Sequence, residues 1–149
     1  MVINSMWGII FSIISGVSMS IQGVFNTQLT KKIGVWETTV LTQGIALLTA
    51  LIVLFFAGDG SFKNLKDANK LYLLAGVLGT VITFTVIQSM SDLGPAVAVA
   101  TILVAQLIAA ALINHFGWFG TEVVHTSVIR QIFGVVVMVT GIIIFKWKG

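Results

Sequence analysis

The sequence predicts an all-α polytopic membrane protein with five transmembrane helices. The chain is 57% hydrophobic and only 9% charged, whereas soluble domains are about 25% charged. Five apolar segments are each long enough to cross the hydrocarbon core of a bilayer, which takes about 20 helical residues. The remaining polar sequence is too short for a separate soluble domain. We therefore predict a single transmembrane bundle over residues 1–149.

Polar or glycine-containing segments separate the spans. We predict spans at about residues 5–28, 36–56, 71–90, 95–116 and 128–145. The fourth span begins at Gly94-Pro95, which contains the only proline of the chain and is typical of a helix stop followed by a restart. No Lys or Arg precedes the first apolar segment, so we expect an uncleaved span there rather than a signal peptide. An odd number of spans places the termini on opposite sides of the membrane.

The first span carries polar and small residues along one helical face. They recur at steps of four, three, four, three and four residues, as Gly8, Ser12, Ser15, Met19, Gln22 and Asn26. At ~100° per residue these positions share one face. Because an unpartnered amide is costly in hydrocarbon, Gln22 and Asn26 must face other helices or a water-filled cavity. Two interpretations stay open, namely a cavity lining and interhelical hydrogen bonding.

Other spans contain further candidates for a cavity or for helix packing. Gln106 lies near the centre of the fourth span, where an amide is most costly, so we expect it at a cavity or an interface. Gln43 and Thr83 complete the candidate cavity-lining set. Small residues let helix backbones approach closely, and the candidates for this packing role are Ala105, Ala109, Gly134 and Gly141.

Glu37 and His115 are the candidate proton or cation gates, because we interpret them as the only plausible proton carriers near the membrane. Glu37 follows Trp36 at the start of a span, where a helix N-terminus also favours a negative charge for structural reasons. His115 ends the fourth span beside Trp118, a position typical of an interfacial anchor. Both roles stay open for both residues.

Enzymatic function classes find no support in the sequence. The chain has no cysteine, which excludes disulfides and thiol catalysis. We find no nucleotide-binding motif, metal-binding pattern or catalytic triad, and expect neither a cofactor nor a metal. The net charge of +3 comes from basic residues at span ends, which we interpret as interfacial anchors rather than as a nucleic-acid surface.

Lysine and arginine are balanced between the two sides of the predicted membrane. One side has Lys63, Lys66, Lys70 and Arg130, and the other has Lys31, Lys32, Lys146 and Lys148. Orientation is normally set by an excess of these residues on the cytoplasmic side, and here four minus four leaves none. Either the balance is accidental and weaker signals or a partner orient the chain, or the protein inserts both ways. In the second case two copies form an inverted-topology pair.

Several motifs are characteristic of one transporter family. They are Gln22 and Asn26 one turn apart, Asp92-Leu93-Gly94-Pro95, Gln106, and Asn114-His115-Phe116-Gly117. In these motifs the chain resembles the YdcZ family, a five-helix branch of the drug/metabolite transporter (DMT) superfamily. The resemblance implies a four-helix core like that of small multidrug resistance transporters, plus one helix, in the bacterial cytoplasmic (inner) membrane. It also implies two copies, commonly antiparallel.

The chain departs from its expected relatives in its acidic residues. Small multidrug transporters couple export to protons through a glutamate in the middle of the first helix, where this chain has Ser15 and Gly16. Family members often have Asp where this chain has Asn114. With no charge buried in the first span, proton-coupled export of a bare cation is disfavoured.

We therefore expect a dual-topology, antiparallel homodimer in which the two first spans face a shared cavity. It would move a small neutral or amphiphilic solute by alternating access, and its partners would be the lipid bilayer, its second copy and that solute. One alternative is a protein that binds or translocates lipid. Another is a structural membrane protein without transport activity, in which the polar face of the first span is packed dry.

Overall fold

The computed structural model describes residues 2–123 and 127–147, and the long regular elements in these ranges are α-helices. Five stretches are long and apolar enough to cross a membrane. The predicted all-helical chain with five potential spans is thus confirmed. The five helices are α1 (Val2–Ile33), α2 (Val35–Ala57), α3 (Ala75–Leu93), α4 (Pro95–Phe116) and α5 (Val128–Lys146).

Four boundaries differ from the sequence prediction. α1 begins at Val2 and α3 ends at Leu93, each three residues outside the expected span. α1 continues to Ile33 because Lys31 and Lys32 are helical, and cations in a last turn interact favourably with the helix carbonyls. The expected start of the third span is instead a 3₁₀ helix, Lys70–Leu74, whose first turn is capped by Asn69. The α-helix begins only at Ala75. The predicted bounds of the second, fourth and fifth spans agree with α2, α4 and α5 within one residue.

Single glycines join α1 to α2 and α3 to α4. Gly34 has φ 96° and ψ 161°, and Gly94 has φ 77° and ψ 157°. This combination of positive φ and extended ψ is open essentially only to glycine. Pro95 follows as the first residue of α4, where a missing N–H leaves no helix bond unmade. The helix stop and restart expected at Gly94-Pro95 is confirmed.

The chain divides into two compact units, Met1–Ser91 and Asp92–Gly149. In the first unit α1 packs against α2, and the side chains of Ile87 and Met90 on α3 are buried. In the second unit α4 packs against α5, and Ala98 and Val104 on α4 are buried. The single bundle over residues 1–149 stays a prediction.

Large apolar side chains are exposed along the helices. Phe25 is 69% exposed on α1, and Phe55 is 84% exposed on α2. In a soluble protein such a surface would aggregate or bind a partner. On helices, whose backbone groups are satisfied within the segment, the same surface suits hydrocarbon.

Most of the basic residues in the charge balance lie close to helix ends. Lys31 and Lys32 are in the last turn of α1, Lys70 opens the 3₁₀ helix before α3, and Lys146 ends α5. Arg130 is in the first turn of α5. Lys148 lies outside the described residues. These positions suit interfacial anchors.

Candidate functional site

The polar face of α1 divides into an exposed part and a buried part. Asn26, at its C-terminal end, is only 7% exposed. The other members are exposed over more than two helical turns. We call them the exposed stripe, which consists of Gly8, Ser12, Ser15, Met19 and Gln22.

The exposed stripe offers hydrogen-bonding groups that the described chain does not cover. The Ser12 hydroxyl donates to the Gly8 carbonyl at 2.8 Å, which leaves its oxygen free to accept. The Gln22 amide, with two donors and an acceptor, is exposed. At membrane depth such an amide needs a protein or water partner. The exposed stripe therefore needs water or polar protein groups beside it in the membrane.

Asn26 instead connects α1 to α2. The Thr42 hydroxyl donates to Asn26 Oδ1 at 3.0 Å. Thr27, Thr38 and Thr39 are buried nearby in the same helix pair, and their hydroxyls donate to the carbonyls of Gly23, Gly34 and Val35 at 2.8 Å. Of the two interpretations, the geometry at Asn26 therefore corresponds to interhelical hydrogen bonding and not to a cavity lining.

We expect the Asn26–Thr42 hydrogen bond to give a measurable coupling energy. Asn26→Leu and Thr42→Val, singly and together, should yield about 0.6 kcal/mol of coupling, and at most about 1.7. The measurement is the free energy of unfolding in detergent. Thr49→Val is the matched control for Thr42→Val, because the Thr49 hydroxyl bonds only to its own helix, at Ile45 O. A coupling no larger for Thr42 than for Thr49 would contradict this assignment.

Gly23 of α1 lies against side chains of α3. A Cβ built on Gly23 would overlap the end of the Met90 side chain and lie 3.2 Å from Val86 Cγ1. Met90 itself is buried. Gly23 directly follows Gln22, so the C-terminal end of the exposed stripe lies next to this contact.

Gln43 of α2 and Thr83 of α3 both lie close to Gly79 of α3. A Cβ built on Gly79 would be 3.3 Å from Gln43 Nε2, and the Thr83 hydroxyl donates to Gly79 O at 2.9 Å. Both side chains are half-buried. The structure thus places both candidate cavity residues near Gly79 of α3.

Glu37 lies at the junction of α1 and α2. It is exposed in the first turn of α2, and its carboxylate folds back over the Cα of Gly34. The neighbouring Trp36 stacks on Phe84 of α3, with ring centroids 4.8 Å apart and planes 10° apart. A carboxylate here interacts favourably with the helix N-terminus.

His115 lies in the second unit, exposed in the last turn of α4. Its ring meets Phe116 edge to face at 5.0 Å, and Phe116 stacks on Trp118 at 5.2 Å. An aromatic cluster at the end of a span is typical of the membrane–water interface. The positions of Glu37 and His115 are compatible with the structural roles considered for them.

The remaining candidates face outward from the second unit. Gln106, Ala105 and Ala109 are exposed on α4. A Cβ built on Gly134 or Gly141 of α5 would meet nothing within 4 Å. The helix-packing role of these small residues stays a prediction.

Helices of this length and apolarity, with apolar side chains turned outward, define an integral multi-pass membrane protein. The chain matches the family described as "Putative inner membrane exporter, YdcZ" over residues 7–144. It belongs to this DMT-type family and is a multi-pass protein of the inner membrane. The family is described as one of membrane exporters and not as one of enzymes. No curated protein and no solved structure matches the chain.

Proposed function

We propose that the chain is one subunit of an antiparallel homodimer that exports a small neutral or amphiphilic solute by alternating access. The family description supports the export function. The exposed stripe of α1 is the observation that supports a solute-binding cavity, because its amide and hydroxyl groups have no cover in the described chain. A second copy of α1 would close such a cavity from the other side.

An antiparallel pair follows from the charge balance. Equal numbers of Lys and Arg on the two sides give no preference for one orientation. A two-fold axis in the membrane plane would turn the two exposed stripes toward each other. Inverted-topology pairs support alternating access, because each half adopts in turn the conformation of the other.

The composition of α1 supports the class of solute. No Asp, Glu, Lys or Arg occurs between Met6 and Thr30, and a desolvated ion would need a counter-charge. Ser12, Ser15 and Gln22 can form hydrogen bonds with a polar group. Met19 adds a flexible apolar surface that adapts to different shapes.

A transport screen tests this proposal. Proteoliposomes would be exposed to chemically diverse solutes, with and without a pH gradient, and solute uptake would be measured directly, for example by mass spectrometry, because transport of a neutral solute moves no charge. We expect responses to neutral or amphiphilic compounds and none to small hydrophilic cations. Responses confined to hydrophilic cations would overturn the solute class. Lipid scrambling without any solute response would favour the lipid-translocating alternative, and no response of either kind would favour the structural one.

Glu37→Gln separates a gate from a helix-end charge. We expect the free energy of unfolding to fall by about 0.3–1 kcal/mol, because the charge at the N-terminus of α2 is lost. The pH and cation dependence of transport should stay unchanged. Asp59→Asn, an exposed carboxylate outside the helices, is the control. A loss of pH or cation dependence only in Glu37→Gln would identify Glu37 as a gate.

A further inference from the structure

The connection between α2 and α3 contains a regularly patterned 3₁₀ helix. Two potential spans flank this connection, which places it at one membrane surface. Its first part is the 3₁₀ helix Phe62–Asp67, whose start is fixed by the Ser61 side chain accepting from Lys63 N at 3.2 Å. A 3₁₀ helix has three residues per turn, so residues i and i+3 lie on the same edge.

This periodicity gives the helix three chemically different edges. Phe62 and Leu65 form an apolar edge, with 77% and 50% of their surface exposed. Lys63 and Lys66 form a basic edge, and their Cα atoms are about 6 Å apart along the axis at ~2 Å rise per residue. The third edge has Asn64 and Asp67.

The charges of this connection are free to interact outside the protein. Lys63, Lys66 and Lys70 are exposed, and Lys70 opens the potential span Lys70–Leu93. Asp59 and Asp67 are the acidic residues of the connection, and Asp67 lies off the basic edge. Among the residues that the structure describes, none of these lysines has a carboxylate partner.

We propose that the 3₁₀ helix Phe62–Asp67, together with Lys70, binds anionic phospholipid at the membrane surface. Phe62 and Leu65 enter the boundary of the acyl chains, as the apolar face of an interfacial helix does. Lys63, Lys66 and Lys70 contact the lipid phosphates, which attract basic residues next to a span. The apolar edge requires a lipid surface, and the basic edge requires that surface to be anionic. This binding is independent of the proposed export.

Thermal unfolding in a neutral detergent tests the charge requirement. We expect phosphatidylglycerol to stabilise the full chain more strongly than phosphatidylcholine. Each lysine should contribute about fivefold to the apparent affinity, so K63Q/K66Q should raise the half-saturating phosphatidylglycerol concentration at least tenfold. K31Q/K32Q removes the same charge from the end of α1 and should leave it unchanged. Equal effects of the two double variants, or none, would overturn the proposal.

Two further measurements test the lipid requirement. Phe62→Ser keeps the charge but should weaken phosphatidylglycerol binding severalfold, and inorganic phosphate should neither stabilise the protein nor compete. Competition by phosphate would show a free-anion site and overturn the proposal. In Phe62→Trp, the added fluorescence, measured against the parent protein, should be quenched more by brominated phosphatidylglycerol than by brominated phosphatidylcholine. Equal quenching would overturn it even if the lysine variants fail to fold.

Discussion

Adding two lysines after Gly149 is expected to give molecules that are mostly inserted with a cytoplasmic C-terminus, and to remove most of the export activity. The unmodified chain has four basic residues on each side, so two more on one side decide the orientation. One half of the antiparallel pair would then be missing. Replacing Lys146 and Lys148 with Gln should bias insertion the opposite way, with a similar loss. Co-expression of the two oppositely biased variants should restore activity, because each supplies the orientation that the other lacks.

Single-cysteine labelling measures the orientation directly. The chain has no cysteine of its own, and Gly60 is exposed with open space around its Cα, so Gly60→Cys introduces a unique reporter between α2 and α3. In the protein that carries only this substitution, the cysteine should react with membrane-impermeant reagents from both sides of the membrane. Lys31→Arg with Lys32→Arg keeps the charge balance and should leave both the labelling and the activity unchanged. One-sided labelling of the protein that carries only Gly60→Cys would contradict dual insertion and the antiparallel dimer.

Gln22→Leu should lower the solute-dependent transport response at least tenfold while the protein stays folded. Gln22 is exposed in the second half of the apolar helix α1, so leucine removes its hydrogen-bonding groups without leaving a partner unpaired. Gln88→Leu makes the same replacement at an exposed position on α3 and should retain transport. The measurements are solute uptake into proteoliposomes and the thermal midpoint of unfolding. If Gln22→Leu instead disrupts dimer assembly in detergent, the residue is an interhelical contact.

Asn26→Leu is expected to differ from Gln22→Leu, although the two positions share one helical face. It removes the acceptor of Thr42 Oγ1 and with it the interhelical hydrogen bond, which is worth about 0.6 kcal/mol of stability in a membrane protein. Periodicity could predict the shared face, but not where along it another helix would lie. Asn26 and Thr42 are sixteen residues apart and equally far from Gly34, so the tight junction brings them together.

The spans could be predicted because length and apolarity are properties of each segment alone. The bounds of α4 in particular follow from Gly94-Pro95 at one end and Gly117 at the other. The end of α1 could not be predicted in the same way, because Lys31 and Lys32 are polar and yet helical. Polarity indicates where the hydrocarbon ends, whereas the helix ends at the backbone conformation of Gly34.

The contacts within the first unit depend on three-dimensional packing that no local pattern specifies. Nothing in the sequence around Trp36 and Phe84 indicates that their rings stack. Likewise, Gly23 and Met90 are far apart in sequence, and only the approach of α1 and α3 places them in contact. In contrast, Thr38 and Thr42 are one helical turn apart after a glycine, and this spacing is the signal that could have indicated a buried polar face on α2.

The single-residue junction at Gly34 has a consequence for biogenesis. With no loop between α1 and α2, neither helix can enter the membrane and settle its direction independently of the other. We expect the two to insert as one helical hairpin, with Lys31 and Lys32 near its tip. The hairpin would then take a single orientation. The longer connection at residues 58–74 would allow α3 to be oriented in a separate step.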